Sequence, residues 1–200
     1  VHNAAPPRFF LPIAAEGENF LREQGVFNRP FILLPGGLNY RKNAELVLKA
    51  WPLIHEKHPE LTLVVASHCE PAFIGPAKAL GESVKLTGFI SDDALCSLYH
   101  AAQLVWFPSL YEGFGIPVLE AMACGAPVVA SNSTSIPEVA GDAAVLVSTR
   151  CVADHVDAID SLLKDARQRE DLSRRGKIHA QRFTWQRSVA ELRRQFLTLV

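Results

Sequence analysis

The stretch FILLPGGLNYRKNAELVLKAWPLI, Phe31 to Ile54, contains the fold in miniature. Four consecutive apolar residues, Phe31 to Leu34, are stopped by Pro35-Gly36-Gly37, as expected of a strand buried on both faces of a parallel sheet. Beyond the glycines the period changes. Leu46, Val47, Ala50, Leu53 and Ile54 recur at helical spacing, Asn43 stands where it can cap the helix, and Pro52 is placed to bend it. A strand, a glycine turn and a helix in that order form the first half of a crossover unit.

The same alternation continues on the C-terminal side. Leu61 to Ala66, Val84 to Thr87, Leu104 to Phe107, Pro127 to Ala130 and Ala144 to Val147 read as further strands. Between them, Asp92-Asp93 opens a helix through Tyr99, Pro117 to Ala123 forms another, and two or three helices close the chain from about Ala153 to Leu199. Strands separated by helices predict an α/β fold, a doubly wound parallel sheet of Rossmann-like type. On the N-terminal side, residues 1–30 carry prolines and mixed charge without a long period, and read as a linker that packs on the surface of a domain spanning residues 31–200.

At 200 residues and 22.0 kDa, with 48% hydrophobic residues, the chain can build one substantial core. A formal net charge of −1 and a pI of about 6.7 exclude the basic face that a nucleic-acid partner needs. The pairs Arg174-Arg175 and Arg193-Arg194 read as solvated positions. Cys69, Cys96, Cys124 and Cys151 are widely spaced, with no CxxC pair and no Cys/His cluster in the linear sequence to suggest zinc. They read as small buried or half-buried thiols of a reducing compartment. No apolar run approaches the roughly 20 residues that span a bilayer, and a cytoplasmic location is expected. The chain begins at Val1 with Met122 its only methionine, which suggests a processed chain or an excised domain.

Two loops at strand ends carry unusual chemistry, and ligands of such sheets bind beyond the carboxyl ends of the strands. In the first, Gly36 and Gly37 let backbone amides approach a ligand, the following helix start adds partial positive charge, and Arg41 and Lys42 add full charges. Phosphate suits that loop, although neither the Walker nor the dinucleotide glycine pattern is present. In the second, Glu112-Gly113-Phe114-Gly115-Ile116 precedes Pro117, and the amides of Phe114 to Ile116 are free at a helix start. Glu120, eight positions beyond Glu112, lies about a turn into that helix, where the macrodipole favours it. Glu112 has no such structural role and suits a cluster of ligand hydroxyls.

YEGFGIPVLEAMACGAPVVAS, from Tyr111, followed by SIPEVAGDAAVLV, resembles the signature of the retaining nucleotide-sugar glycosyltransferases of family 4, group 1, defined by two glutamates with seven residues between them. GGLNYRKN resembles their phosphate loop and VKLTGFISDDALCSLYHAA their nucleobase segment. The resemblance runs from about Phe31 to Leu199. It implies the C-terminal, donor-binding domain of a GT-B enzyme, with a separate N-terminal domain for the acceptor. Carried over residue by residue, it implies Lys42 and Arg41 on the donor diphosphate, Glu112 on the sugar hydroxyls, and backbone groups of Gly36, Gly37, Gly113, Phe114, Gly115 and Ile116 around sugar and phosphate. Glu120 would hold the ribose, and Phe89 and Ile90 would lie along the base. Many members carry arginine where this chain has Gly37.

The implied reaction is transfer of a hexose from GDP-mannose or a UDP-hexose, with retention, to a glycan or lipid-linked acceptor. Lys42 and Glu112 would be catalytic, and replacing Lys42 should depress the rate far more than folding. No Asp-x-Asp occurs, so no metal and no other cofactor is expected. Any peripheral membrane contact would come through the N-terminal half. His55 and His58 are expected to be exposed, Glu138 to order its turn, and Trp51, Trp106 and Trp185 to pack. A glycoside hydrolase would place its carboxylates about a scissile bond, and a phosphorylase would need pyridoxal phosphate. The main alternative is a nucleotide-sugar binding module without catalysis of its own.

Overall fold

The structure, a computed structural model, describes residues 2–13 and 15–197. Its strands are β1 (Phe31–Pro35), β2 (Thr62–Ala66), β3 (Val84–Gly88), β4 (Leu104–Phe107), β5 (Val128–Ser131) and β6 (Val145–Val147). All pair in parallel, in the order β3-β2-β1-β4-β5-β6. The helices are α1 (Ala15–Glu23), α2 (Ala44–Lys57), α3 (Pro71–Lys78), α4 (Asp92–Ala101), α5 (Ile116–Cys124), α6 (Ile136–Ala140), α7 (Val152–Lys164), α8 (Ala166–Ala180) and α9 (Trp185–Leu197). The doubly wound parallel sheet expected from the alternation is present, and the predicted strands lie within a residue of those observed.

Strand residues alternate between two cores, as a period of two requires. Phe31, Leu33, Val64, Ala66, Val105, Phe107 and Val128 pack on one face, against residues of α1, α4 and α5. Ile32, Leu34, Leu63, Val65, Leu104, Trp106 and Val129 pack on the other, against residues of α2 and α7. Every residue of β1 and β4 is buried, which is why both read as uninterrupted apolar runs.

Residues ahead of β1 form a 3-10 turn at Pro7–Phe10 and then α1, with Phe9, Leu21 and Val26 in the first core. α1 is short and polar, and its few apolar side chains gave no period long enough to read. α3, with prolines at both its start and its interior, and the five-residue α6 escaped for the same reason. The predicted helical end at Leu199 falls outside the described residues.

Three local expectations need correction. Asn43 precedes α2 in the left-handed region (φ 60°) and makes no side-chain cap; its amide is engaged elsewhere. His58 is half-buried, with Nε2 2.8 Å from Asp160 Oδ1, and His55 stacks on Trp51. Trp51 and Trp106 are fully buried, but Trp185 is 55% exposed on α9, where it joins the exposed Val189, Leu192 and Phe196.

Candidate functional site

β1 and β4 are neighbours, and between them the direction of strand addition reverses. A doubly wound sheet opens its ligand crevice at such a point. The loop after β1 and the loop after β4 therefore meet, and they are joined directly: Leu110 N–H donates to the Arg41 carbonyl at 2.9 Å.

The first loop is shaped by close backbone packing. Gly36 and Gly37 both have positive φ, and both amides donate to the Ala66 carbonyl. A Cβ on Gly37 would stand 1.8 Å from the His68 carbonyl oxygen. An arginine at this position would thus require the backbone after β2 to move, which accounts for the chain's departure from the pattern it resembles. Asn39 closes the turn, accepting from Lys42 N–H at 2.9 Å and donating to Gly36 O at 3.1 Å.

Lys42 is 4% exposed and Glu112 8%. Glu112 Oε1 lies 2.7 Å from Lys42 Nζ and 2.7 Å from an Arg41 guanidinium nitrogen, so one carboxylate bridges two cations. Lys42 Nζ also sits 4.1 Å from the Phe107 ring centroid. Burial holds the Lys42 ammonium below the usual lysine range, the bond and charge of Glu112 act against that, and Arg41 adds to the depression. Arg41 itself is half in solvent and faces outward.

α5 begins where Gly115 adopts φ 98°, with Pro117 in the first turn. The amides of Phe114, Gly115 and Ile116 have no acceptor in the chain among the described residues. Glu120, one turn in, is half-buried and accepts from the Tyr99 hydroxyl at 3.2 Å. Burial raises its pKa to about 7; the Tyr99 bond and Lys42 act against the rise, and Asp92 adds to it.

The fold thus brings Arg41, Lys42 and Glu112 into contact, with Glu120 near enough to share the field of Lys42. Phe89 and Ile90 follow β3, separated from β1 by β2; Phe89 is 90% exposed and Ile90 half-buried. They stand at the same edge of the sheet but apart from the cation cluster.

Sequence reasoning missed the residues that hold the loops together. Asn43 Nδ2 donates to Pro108 O at 3.1 Å and to Thr149 O at 2.8 Å, tying the loops after β1, β4 and β6. After β5, Thr134 Oγ1 accepts from Glu112 N–H, Ser135 Oγ donates to Glu112 O, and Ser133 Oγ donates to Ser109 O and Leu110 O. Thr134 holds φ 48°, a strained value for a β-branched residue. The run of hydroxyls in NSTS was the available signal, and it looked like an ordinary polar turn. Glu138, expected to order its turn, lies 2.6 Å from His2 Nε2.

The family described as Glycosyl transferases group 1 matches residues 18–179. Among relatives, an O-antigen chain mannosyltransferase B of Escherichia coli is 42% identical over 112 residues, 54% of this chain and 28% of that protein. Among solved structures, the C-terminal domain of a glycosyl transferase group 1 protein, LpcC of Francisella tularensis, superposes with a TM-score of 0.72 at 23% identity, covering 88% of this chain and 97% of that one. Anabaena HepE, solved in complex with UDP and glucose, gives 0.79 at 20% identity, covering 98% of this chain and 55% of that one. The match covers about half of HepE and less than a third of the mannosyltransferase. Together with the parallel sheet and its two site-bearing loops, the match places the chain in the glycosyl transferases group 1 family, with the fold of a GT-B C-terminal domain.

Proposed function

We propose that this chain is the donor-binding half of a retaining hexosyltransferase, taking GDP-mannose or a UDP-hexose. The observation that carries the reading is the bridge of Arg41, Lys42 and Glu112 at the β1–β4 switch point, beside the unpaired amides that start α5. A diphosphate entering there competes with the Glu112 carboxylate for both cations. Once the phosphates take Lys42 and Arg41, Glu112 is freed to accept from the hydroxyls of the transferred sugar. Glu120 holds the ribose, and the backbone at Phe89 and Ile90 lies along the base.

In transfer, negative charge grows on the leaving phosphate as the anomeric bond breaks. Lys42 and the α5 amides are already in place, so they stabilise the transition state more than the ground state. This arrangement supplies the positive charge that a metal would otherwise provide, and turnover should be indifferent to chelators. The mannosyltransferase likeness favours a GDP-linked donor, and the HepE complex keeps UDP in view.

The test is calorimetric titration of GDP and UDP into the chain. A nucleoside diphosphate should bind, and Lys42→Gln should weaken it at least about tenfold, the loss expected for a charge-assisted bond. Equal affinity in the variant, or no binding of any nucleoside diphosphate, rejects the reading. A second reading, a binding module without turnover, is favoured for the isolated chain by the share of its relatives that it spans. Joining it to an N-terminal acceptor domain and assaying hexose transfer separates the two.

A further inference from the structure

The fold assembles a cluster that linear spacing hides. Cys96 and His100 are four residues apart on α4, one turn, so they share a face. Cys124 ends α5, which packs against α4. The donor atoms, two sulfurs and one ring nitrogen, all lie within 4.8 Å of one another, with both cysteines buried and His100 half-buried. We infer that Cys96, His100 and Cys124 form a binding site for a thiophilic d10 metal ion, with zinc as the natural candidate, at the α4–α5 junction.

Geometry supports this over a packed thiol pair. Two Zn–S bonds of about 2.3 Å at a tetrahedral angle separate the sulfurs by about 3.8 Å. Cys96 Sγ and Cys124 Sγ are 3.9 Å apart, and both cysteines are free. The same geometry asks for roughly 3.6 Å between sulfur and nitrogen, and a His100 ring nitrogen stands within 4.8 Å of both sulfurs. His100 Nε2 is 2.8 Å from the Leu11 carbonyl. That oxygen can only accept, so Nε2 carries the proton and Nδ1 keeps the lone pair. Metal-binding histidines are commonly oriented by such a bond from the other ring nitrogen.

His100 also lines a hollow of about 380 Å³ with Leu11, Ile13 and Lys177, so the ring side of the cluster opens to solvent while the two sulfurs stay buried behind it. On binding, the two thiols lose their protons to solvent, and two thiolates balance one divalent ion. Cys96 then gives up its donation to Arg8 O. The site lies one turn from Glu120 along α5 and takes no part in the transfer. Its effect is to fasten α4 to α5 on either side of the Tyr99–Glu120 contact.

Cadmium titration of the purified chain tests this, because Cd–thiolate bonds give an ultraviolet charge-transfer band. One equivalent should develop the band at saturation, and zinc should displace it. Cys96→Ser with Cys124→Ser should abolish it. His100→Ala, at a half-exposed position that folding tolerates, should weaken affinity beyond the roughly 10- to 100-fold that loss of an outer partner causes. Bound zinc should also shield two thiols from alkylation in the unaltered protein, a readout that needs no variant. A band that survives the double cysteine change, no band at all, or a Cys96–Cys124 disulfide in the purified protein would overturn the assignment.

Discussion

Glu112 illustrates how far a single residue can be read. Its sequence context marked it as a carboxylate without a structural reason, and the fold shows it buried between two cations. That changes the expectation for Lys42. Removing one partner of a buried pair leaves the other charge uncompensated, typically at about 3–5 kcal/mol. Here Arg41 stays 2.7 Å from Glu112 and is half in solvent, so Lys42→Ala should cost less, about 1–3 kcal/mol of unfolding free energy in urea. Glu112→Gln strands the Lys42 ammonium, 4% exposed, without its counter-charge, and should cost more, about 3–5 kcal/mol in the same measurement, besides weakening sugar recognition. Neither the pairing nor its burial could be foretold, because Arg41 and Glu112 are 71 positions apart (112 − 41) and meet only through the sheet order.

Two buried groups titrate in opposite directions over nearly the same range. Burial lowers His155 to about 4, its Nδ1 accepting from Trp106 Nε1, with Asp154 opposing the shift. A depressed histidine contributes stability that is whole above pH 6.5 and is lost as pH falls toward 4. Glu120, raised to about 7 and faced by Tyr99, Asp92 and Lys42, contributes stability that is whole below pH 4.5 and is lost as pH rises toward 7. Each amounts to about 3 kcal/mol at full span, so the two slopes offset between pH 4.5 and 6.5. Urea unfolding of Glu120→Gln should therefore show stability climbing with pH across that window. His155→Gln should show it falling, and matching profiles for the two variants would contradict both assignments.

At the scale of elements, the helices divide by what they cover. α5 is buried along most of its length between the sheet and α8, whereas α9 buries only Ser188 among its described side chains. Val189→Ser or Phe196→Ser should shift unfolding by less than about 0.5 kcal/mol, as for exposed positions generally. Trp106→Ala, fully buried on β4 in the core against α2 and α7, should cost about 3–5 kcal/mol by differential calorimetry. In the loops, Gly37→Ala meets both a positive φ and the His68 carbonyl, and should cost several kcal/mol and remove nucleotide binding with it. Asn43→Ala should loosen three loops at once, costing about 1–3 kcal/mol for the buried carbonyls left unpaired. The central strands were legible as uninterrupted buried apolar runs, and α2, α4 and α5 from the apolar residues and turn signals that bound them. Asn43, Thr134 and Ser133 were not, because a side chain that serves another loop leaves no trace in its own neighbourhood.

For the molecule as a whole, the doubly wound class was legible from the alternation, whereas the crevice's position was not, since the switch point follows from which strands are neighbours and only the folded sheet shows that. The chain covers only part of the length of the relatives it matches. The strand order also grades the domain from centre to rim. β1 and β4, which carry the cation cluster, are innermost and wholly buried, while β3, which carries Phe89 and Ile90, is a rim strand with no fully buried residue. Opening from the rim frees the Phe89–Ile90 side first and the cation cluster last, so amide protons of β1 and β4 should exchange slowest and those of β3 fastest among the strands. A lineage could therefore vary β3 and its trailing loop while leaving the innermost strands and their cation cluster undisturbed.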